Sequence, residues 1–252
     1  MSKHDLQMGL DFLRQEYFAD PEFIRSVSES SEEQWLAEAG ERRNDSNCTK
    51  TILSLFDFTG QWAKPYWDAG YNVINLDLKH GIDINDFCCE YLFEELGIEG
   101  VWGVLAACPC TEFACSGARW FAQKDLSGRT QKAIHLVRQA LRTVELYDPE
   151  FWVIENPVGR MAKLIPELNS KPFYFNPCDY AEGFEGEAYT KKTGLWGKFV
   201  PPTVANIGED RSVFPHLGSK MHTSLGGSSE RTKMLRSVTP NGFAKAFFDC
   251  NK

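Results

Sequence analysis

Cys110 and Glu155 are the residues from which chemistry can be built in this sequence. Cys110 lies in Ala106-Ala107-Cys108-Pro109-Cys110-Thr111-Glu112-Phe113-Ala114-Cys115-Ser116-Gly117, which follows the apolar run Val101-Trp102-Gly103-Val104-Leu105. A thiolate is an intrinsically strong nucleophile, and Pro109 stiffens the backbone that presents it. A cysteine taken alone is more often a small buried apolar residue. The stretch Phe151-Trp152-Val153-Ile154-Glu155-Asn156-Pro157 shifts that balance, because a second buried-looking run there ends in a carboxylate. A thiol and an acid at the tips of two strands suit covalent catalysis accompanied by proton transfer.

The elements that must position this pair follow from the apolar patterning. Strands are predicted over Ile52–Phe56, Tyr71–Leu76, Gly100–Ala107 and Phe151–Glu155. Between them, helices are predicted over Gly60–Ala69, Asp86–Leu96 and Thr130–Tyr147, the last with Ile134, Val137, Leu141 and Val144 on one face. This alternation predicts an α/β fold with a doubly wound, mostly parallel sheet, whose functional edge is the carboxyl end of the strands. Before it, residues 1–49 read as a helical extension, with Leu6, Leu10, Leu13 and Tyr17 at helical spacing. Residues 50–198 read as the core.

Composition narrows the class. The chain of 252 residues is 42% hydrophobic and 25% charged, as in an ordinary globular protein. No run approaches the roughly 18 apolar residues of a membrane span, and Met1-Ser2-Lys3-His4-Asp5 does not begin a signal peptide. A cytoplasmic location is expected, and with it reduced thiols for the eight cysteines. Cys88-Cys89 and Cys108-Pro109-Cys110 lack the spacing of zinc pairs, so no metal is expected. A net charge of −8 argues against broad clamping on a phosphate backbone. Nucleic-acid contact would need a local basic patch, for which Lys191-Lys192 and Arg231 to Arg236 are candidates.

The turn Asp57-Phe58-Thr59-Gly60-Gln61-Trp62 between the first strand and helix carries one glycine, not the three of a pyrophosphate cradle. An acid, Asp77, closes the following strand. That layout suits an adenosine ligand without phosphates, of which S-adenosylmethionine is the obvious one. Asp77 would accept from the ribose hydroxyls and Asp83 from the adenine amino group.

In this order the pieces resemble the DNA (cytosine-5)-methyltransferases, particularly compact phage-type members, from Thr51 onward. Phe58-Thr59-Gly60 is similar to the cofactor motif F-x-G-x-G, with Trp62 at its last glycine, and Phe56 is an alternative match to the phenylalanine. Asp83-Ile84 is similar to the adenine-contacting D-I pair. Pro109-Cys110-Thr111-Glu112-Phe113-Ala114-Cys115-Ser116 resembles the nucleophile motif P-C-x-x-F-S, with two residues inserted before the serine. Glu155-Asn156-Pro157-Val158 resembles E-N-V. Tyr189-Thr190-Lys191-Lys192-Thr193 stands where the family has Q-x-R-x-R, and Arg236-Ser237-Val238-Thr239-Pro240 resembles the final motif N-x-V-P-P.

The resemblance implies a Rossmann-like, S-adenosylmethionine-dependent fold with a reduced target-recognition region over 199–233 and a C-terminal helix over 234–252. It implies catalytic roles for Cys110, Glu155, Lys191 and Lys192. Cofactor contacts are implied for Phe58, Thr59, Gly60, Asp77, Asp83, Ile84, Pro109, Ser237 and Val238, and nucleic-acid contacts for Ser116, Arg119 and Asn156. The implied substrate is a cytosine flipped out of DNA, with the loop from Gly117 to Arg129 closing over it. So short a recognition region implies relaxed specificity or a protein partner. Lysine for arginine, Trp62 and the acidic charge leave two other readings open: an RNA substrate or a larger transferred group, and a catalytically silent binding protein.

Overall fold

The computed structural model describes residues 47–81, 83–87, 100–204, 219 and 229–252. The expected helical extension before residue 47, most of the helix expected over 86–96, and most of the 199–233 segment lie outside the described residues.

The core is a six-stranded sheet in the order β2-β1-β3-β4-β6-β5. Strand β1 (Thr51–Leu55) is buried along its whole length, which is why it reads as an unbroken apolar run. It pairs in parallel with β2 (Asn72–Leu76) and with β3 (Gly103–Ala107), and β3 pairs in parallel with β4 (Phe151–Pro157). Strand β6 (Thr193–Lys198) lies antiparallel between β4 and the short edge strand β5 (Phe173–Phe175). The fold class is therefore α/β with a mostly parallel, mixed sheet. Strand order reverses between β1 and β3, the crevice where sheets of this type place ligands.

Two apolar layers sandwich the sheet. On one face, helix α4 (Arg129–Tyr147) buries Ala133, Ile134, Val137 and Ala140. On the other, α1 (Lys64–Asp68) contributes Tyr66, and α7 (Asn241–Cys250) contributes Phe243, Ala244 and Phe247. Helix α7 approaches so closely that a Cβ on Gly242 would lie 2.0 Å from the Tyr180 carbonyl oxygen. Its first two amides, on Asn241 and Gly242, donate to the Glu187 carboxylate at 2.7 and 2.9 Å, a cap supplied from elsewhere in the chain.

Several boundaries differ from the sequence reading. Strand β1 stops at Leu55 because Phe56 has φ +60°, outside the extended region. Glu155 does not end its strand: β4 continues to Pro157, held by the ladder to β6. The first helix shrinks to Lys64–Asp68, with Pro65 in its first turn. Helix α6 (Glu230–Ser237) precedes α7, so two helices stand where one was expected. The six described cysteines are free thiols. Among the described residues no helix is long and apolar enough to cross a membrane, and no group of three His, Cys, Asp or Glu side chains converges as a metal site would.

Candidate active site

The nucleophile turn leaves the tip of β3. Cys108 is buried in the core, Pro109 is exposed and Cys110 is half-buried. The Cys110 carbonyl accepts from the amides of Phe113 and Ala114, both at 2.9 Å, closing one tight turn. The next residues are pinned at many points. Lys124, itself buried, donates to the Thr111 carbonyl. Glu112, 8% exposed, meets Arg129 at 2.7 Å and Lys124 at 3.5 Å. Arg160 donates from its backbone to the Phe113 carbonyl and from its guanidinium to the Glu112 carbonyl, at 2.9 and 3.1 Å. Gly159 is required here, since a Cβ would lie 2.0 Å from the Phe113 oxygen.

The brace extends into the segment expected to close over the base, from Gly117 to Arg129. It forms a 3-10 helix (Cys115–Trp120) and helix α3 (Phe121–Leu126). Asp125 on α3 is hydrogen-bonded by both terminal nitrogens of Arg160, at 2.9 and 2.8 Å. A bidentate pair of this kind fixes geometry as well as charge. The segment forms a braced mount beside the turn.

Glu155 sits one strand away, in register with Ala107 of β3 and Leu195 of β6. With Lys191, Thr193, Phe175, Pro177, Ser237, Thr239, Pro240 and Phe243 it lines a cavity of about 20 Å³. Burial pushes the Glu155 carboxyl above the usual carboxylate range, and the Lys191 ammonium pulls it part of the way back. Burial likewise pushes the Cys110 thiol up; Lys191 lowers it and Glu155 raises it. The thiol and the acid therefore feel each other and one shared cation. Lys191 is itself held by donating at 3.0 Å to the Arg236 carbonyl in the last turn of α6.

Two expected site residues make contacts of their own. Lys192 turns its ammonium over the Tyr174 ring, 4.9 Å from its centre, while Lys191 lines the cavity, in keeping with the alternation of an extended chain. Asn156, an expected nucleic-acid contact, is 0% exposed and donates at 2.9 Å to the Cys108 carbonyl, which ties β4 to the turn carrying Cys110.

Across the crevice, Asp57 closes β1. It accepts from the Ser54 hydroxyl at 3.0 Å, the Thr59 hydroxyl at 3.2 Å and the Trp62 amide at 3.2 Å. Burial raises its carboxyl, and these donors oppose the rise. Gly60 supplies the φ of +66° that the turn needs. The Phe58 ring lies 4.9 Å from that of His80, and Lys79 stands over its face at 5.0 Å. Asp77 Oδ1 accepts from the Lys79 amide at 2.8 Å, and Asp83 Oδ1 from the Asn85 amide at 2.9 Å. Each carboxylate keeps its other oxygen clear of any described donor.

Ile84, expected at the cofactor, is 5% exposed and belongs to the core layer with Leu53, Leu55 and Leu76. Its side chain packs in that layer. Trp62, where the resemblance would have glycine, is 0% exposed and packs on Phe243 and Phe247. Ser237 reaches the Glu155 cavity, with half-buried Val238 following it. Ser116 and Arg119 are exposed on the mount.

Asp57 was passed over in the sequence although it carries the signal that singled out Glu155, an acid ending an apolar run. The brace of Glu112, Lys124, Arg129 and Arg160 had no local signal, because its partners are up to 48 residues apart. A larger cleft, about 420 Å³, lies between α1 and α7. Its rim acids, Asp68 and Asp249, are paired with Lys64 and Lys245, and none of its lining residues is a thiol. The thiol and the raised acid lie at the carboxyl edge of the sheet, not there.

No protein-family profile matches this chain, and no curated protein matches it. Among solved structures the chain is similar to a candidate DNA modification methyltransferase encoded within a prophage (E. coli). The identity is 15% and the TM-score 0.44, over 59% of this chain and 46% of that one. The chain thus spans less than half the length of that structure, and likeness at this level carries no functional inference.

Proposed function

We propose that this protein is an S-adenosylmethionine-dependent methyltransferase acting on C5 of cytosine in DNA. The observation that carries the reading is the placement of Cys110 and Glu155: a thiol on the turn that leaves β3 and an acid on neighbouring β4, with Lys191 lining the acid's cavity.

Cytosine C5 is too weak a nucleophile to accept a methyl group directly. Addition of the Cys110 sulfur to C6 breaks the aromaticity of the ring and makes C5 enamine-like. Glu155, whose carboxyl burial pushes upward, donates a hydrogen bond to ring N3 in its protonated form and neutralises the charge that develops there. After transfer, loss of the C5 proton to a base lets the thiol leave. Lys191 offsets part of the cost of forming thiolate in a buried site.

The crevice between β1 and β3 is where the cofactor would bind. Its single-glycine turn cannot cradle a pyrophosphate, while the unused oxygens of Asp77 and Asp83 suit a ribose and an adenine amine. Phe58 and Phe56 are the candidate ring partners; Phe56 holds a strained φ of +60° beside the crevice, the kind of outlier that collects at ligand sites. Bound there, S-adenosylmethionine supplies an electrophilic methyl group. Residues 50–198 with 234–252 then constitute the catalytic core, residues 1–49 an extension, and residues 199–233 the reduced recognition region.

Nucleoside mass spectrometry of DNA from cells expressing the protein tests the reading. We expect 5-methylcytosine with the wild type and none with Cys110→Ala. Unmodified cytosine from folded wild-type protein that binds the cofactor would overturn it. 5-Methylcytosine found in RNA and absent from DNA would move the reading to the other polymer.

A further inference from the structure

Beside the reacting pair, the mount displays a side chain that the fold does not use. Trp120 is 50% exposed at the end of the 3-10 helix, whereas Trp62 is 0% and Trp196 5% exposed. The Arg119 guanidinium stands over the indole, 5.2 Å from its centre, and is itself exposed. We propose that Arg119 and Trp120 form a nucleic-acid contact in which the indole stacks on a DNA base and the guanidinium grips the adjoining phosphate, next to the base attacked by Cys110. The proposal rests on the reading of the site given above.

Charge favours this occupant. In a chain of net charge −8, phosphate is repelled by the average surface. On the mount both carboxylates are already answered: Glu112 by Arg129 and Lys124, and Asp125 by Arg160. Among the described residues no carboxylate pairs with Arg119. The element therefore presents a cation to solvent, and among the described residues no carboxylate is left beside it to cancel the charge.

Geometry favours it as well. A six-residue 3-10 helix is about 12 Å long, roughly three to four base steps along a strand. Its start is fixed to the site, because the Cys115 amide donates to the Val158 carbonyl at 3.0 Å. Its end is fixed too, since the Arg160 guanidinium lies 3.7 Å above the Phe121 ring. An indole carried on a backbone held at both ends has few torsions left to order on stacking, and every base has a face to offer it. The contact is therefore tolerant of sequence, which suits a chain with little room for a base-reading domain.

The test is equilibrium binding of a fluorescein-labelled, cytosine-containing duplex, followed by anisotropy over a range of salt. Trp120→Ala is expected to weaken binding by about 5- to 100-fold with its salt dependence unchanged. Trp120→Phe, which keeps a ring, restores most of the affinity and guards against a folding artefact. Arg119→Ala is expected to lower the slope of log K against log salt by about one. Wild-type affinity in Trp120→Ala, or no binding by the wild type, overturns the proposal. So does a Trp120→Ala protein that binds DNA normally but loses self-association on size exclusion, which would assign the surface to protein.

Nucleoside mass spectrometry on the same preparations separates the two readings. Lost binding in Trp120→Ala with unmodified cytosine from the wild type retains the contact and rejects the chemistry. Methylation by the wild type with normal binding by Trp120→Ala does the reverse.

Discussion

Asp57 and Glu155 are both desolvated acids near the carboxyl ends of apolar strands, β1 and β4, that β3 separates, and burial raises both. They differ in what meets them. Two hydroxyls and an amide donate to Asp57, which organises the turn after β1. No described residue donates a hydrogen bond to Glu155, which faces a cavity and a lysine. Burial alone therefore does not mark a catalytic acid. What sets Glu155 apart is a raised carboxyl that no described donor meets, beside a cavity and a lysine, and this is the arrangement the proposed acid role requires.

The strongest way to break that comparison is Glu155→Gln. Steady-state assays should show a loss of about 10²- to 10⁴-fold in kcat, the usual contribution of a positioned acid. Thermal unfolding should move the other way. A carboxyl raised in the folded state contributes stability below its ordinary value and loses it as pH rises through the raised one. Glu155→Gln lacks that loss, so its Tm should exceed that of the wild type at pH 8 and converge with it on acidification. Equal Tm values across the range would place Glu155 among the satisfied acids.

Lys191→Met should come next. It removes the cation that lowers Cys110, so the pH midpoint for alkylation of that thiol, followed by peptide mass spectrometry, should rise. The thiolate fraction at neutral pH falls about tenfold per pKa unit, and turnover should follow. Asp57→Asn should cost about 1–3 kcal/mol by disturbing its donors, lowering Tm with little change in turnover per folded molecule. The smallest effect belongs to Lys192→Met, which removes an exposed contact with Tyr174 worth about 0.5–1 kcal/mol and should leave the Cys110 alkylation profile unchanged.

Much of this arrangement was legible before any coordinates. The strands that became β1 to β4 and the long helix α4 announce themselves as apolar runs and a helical stripe, and the thiol and acid fall at their ends. The register within them was legible too. Ile154 and Asn156 share a face by simple alternation, so the burial of Asn156 could have been read from that of Ile154. Strands β5 and β6 were harder. Gly194 and Gly197 break the pattern of β6, and Gly194 is needed because a Cβ there would meet the Trp196 ring at 2.9 Å. The brace beneath the nucleophile joins residues distant in sequence, which local pattern cannot foresee.

Helix α7 does two jobs with one set of side chains. Its rings Phe243, Phe247 and Phe248 pack on Trp62 and Tyr66 and so cover one side of the sheet. At its entry, Pro240 and Phe243 wall in Glu155. The acid's surroundings are thus made by the same contacts that close the core. Any change that frays this helix should wet the carboxyl and loosen the fold in a single event.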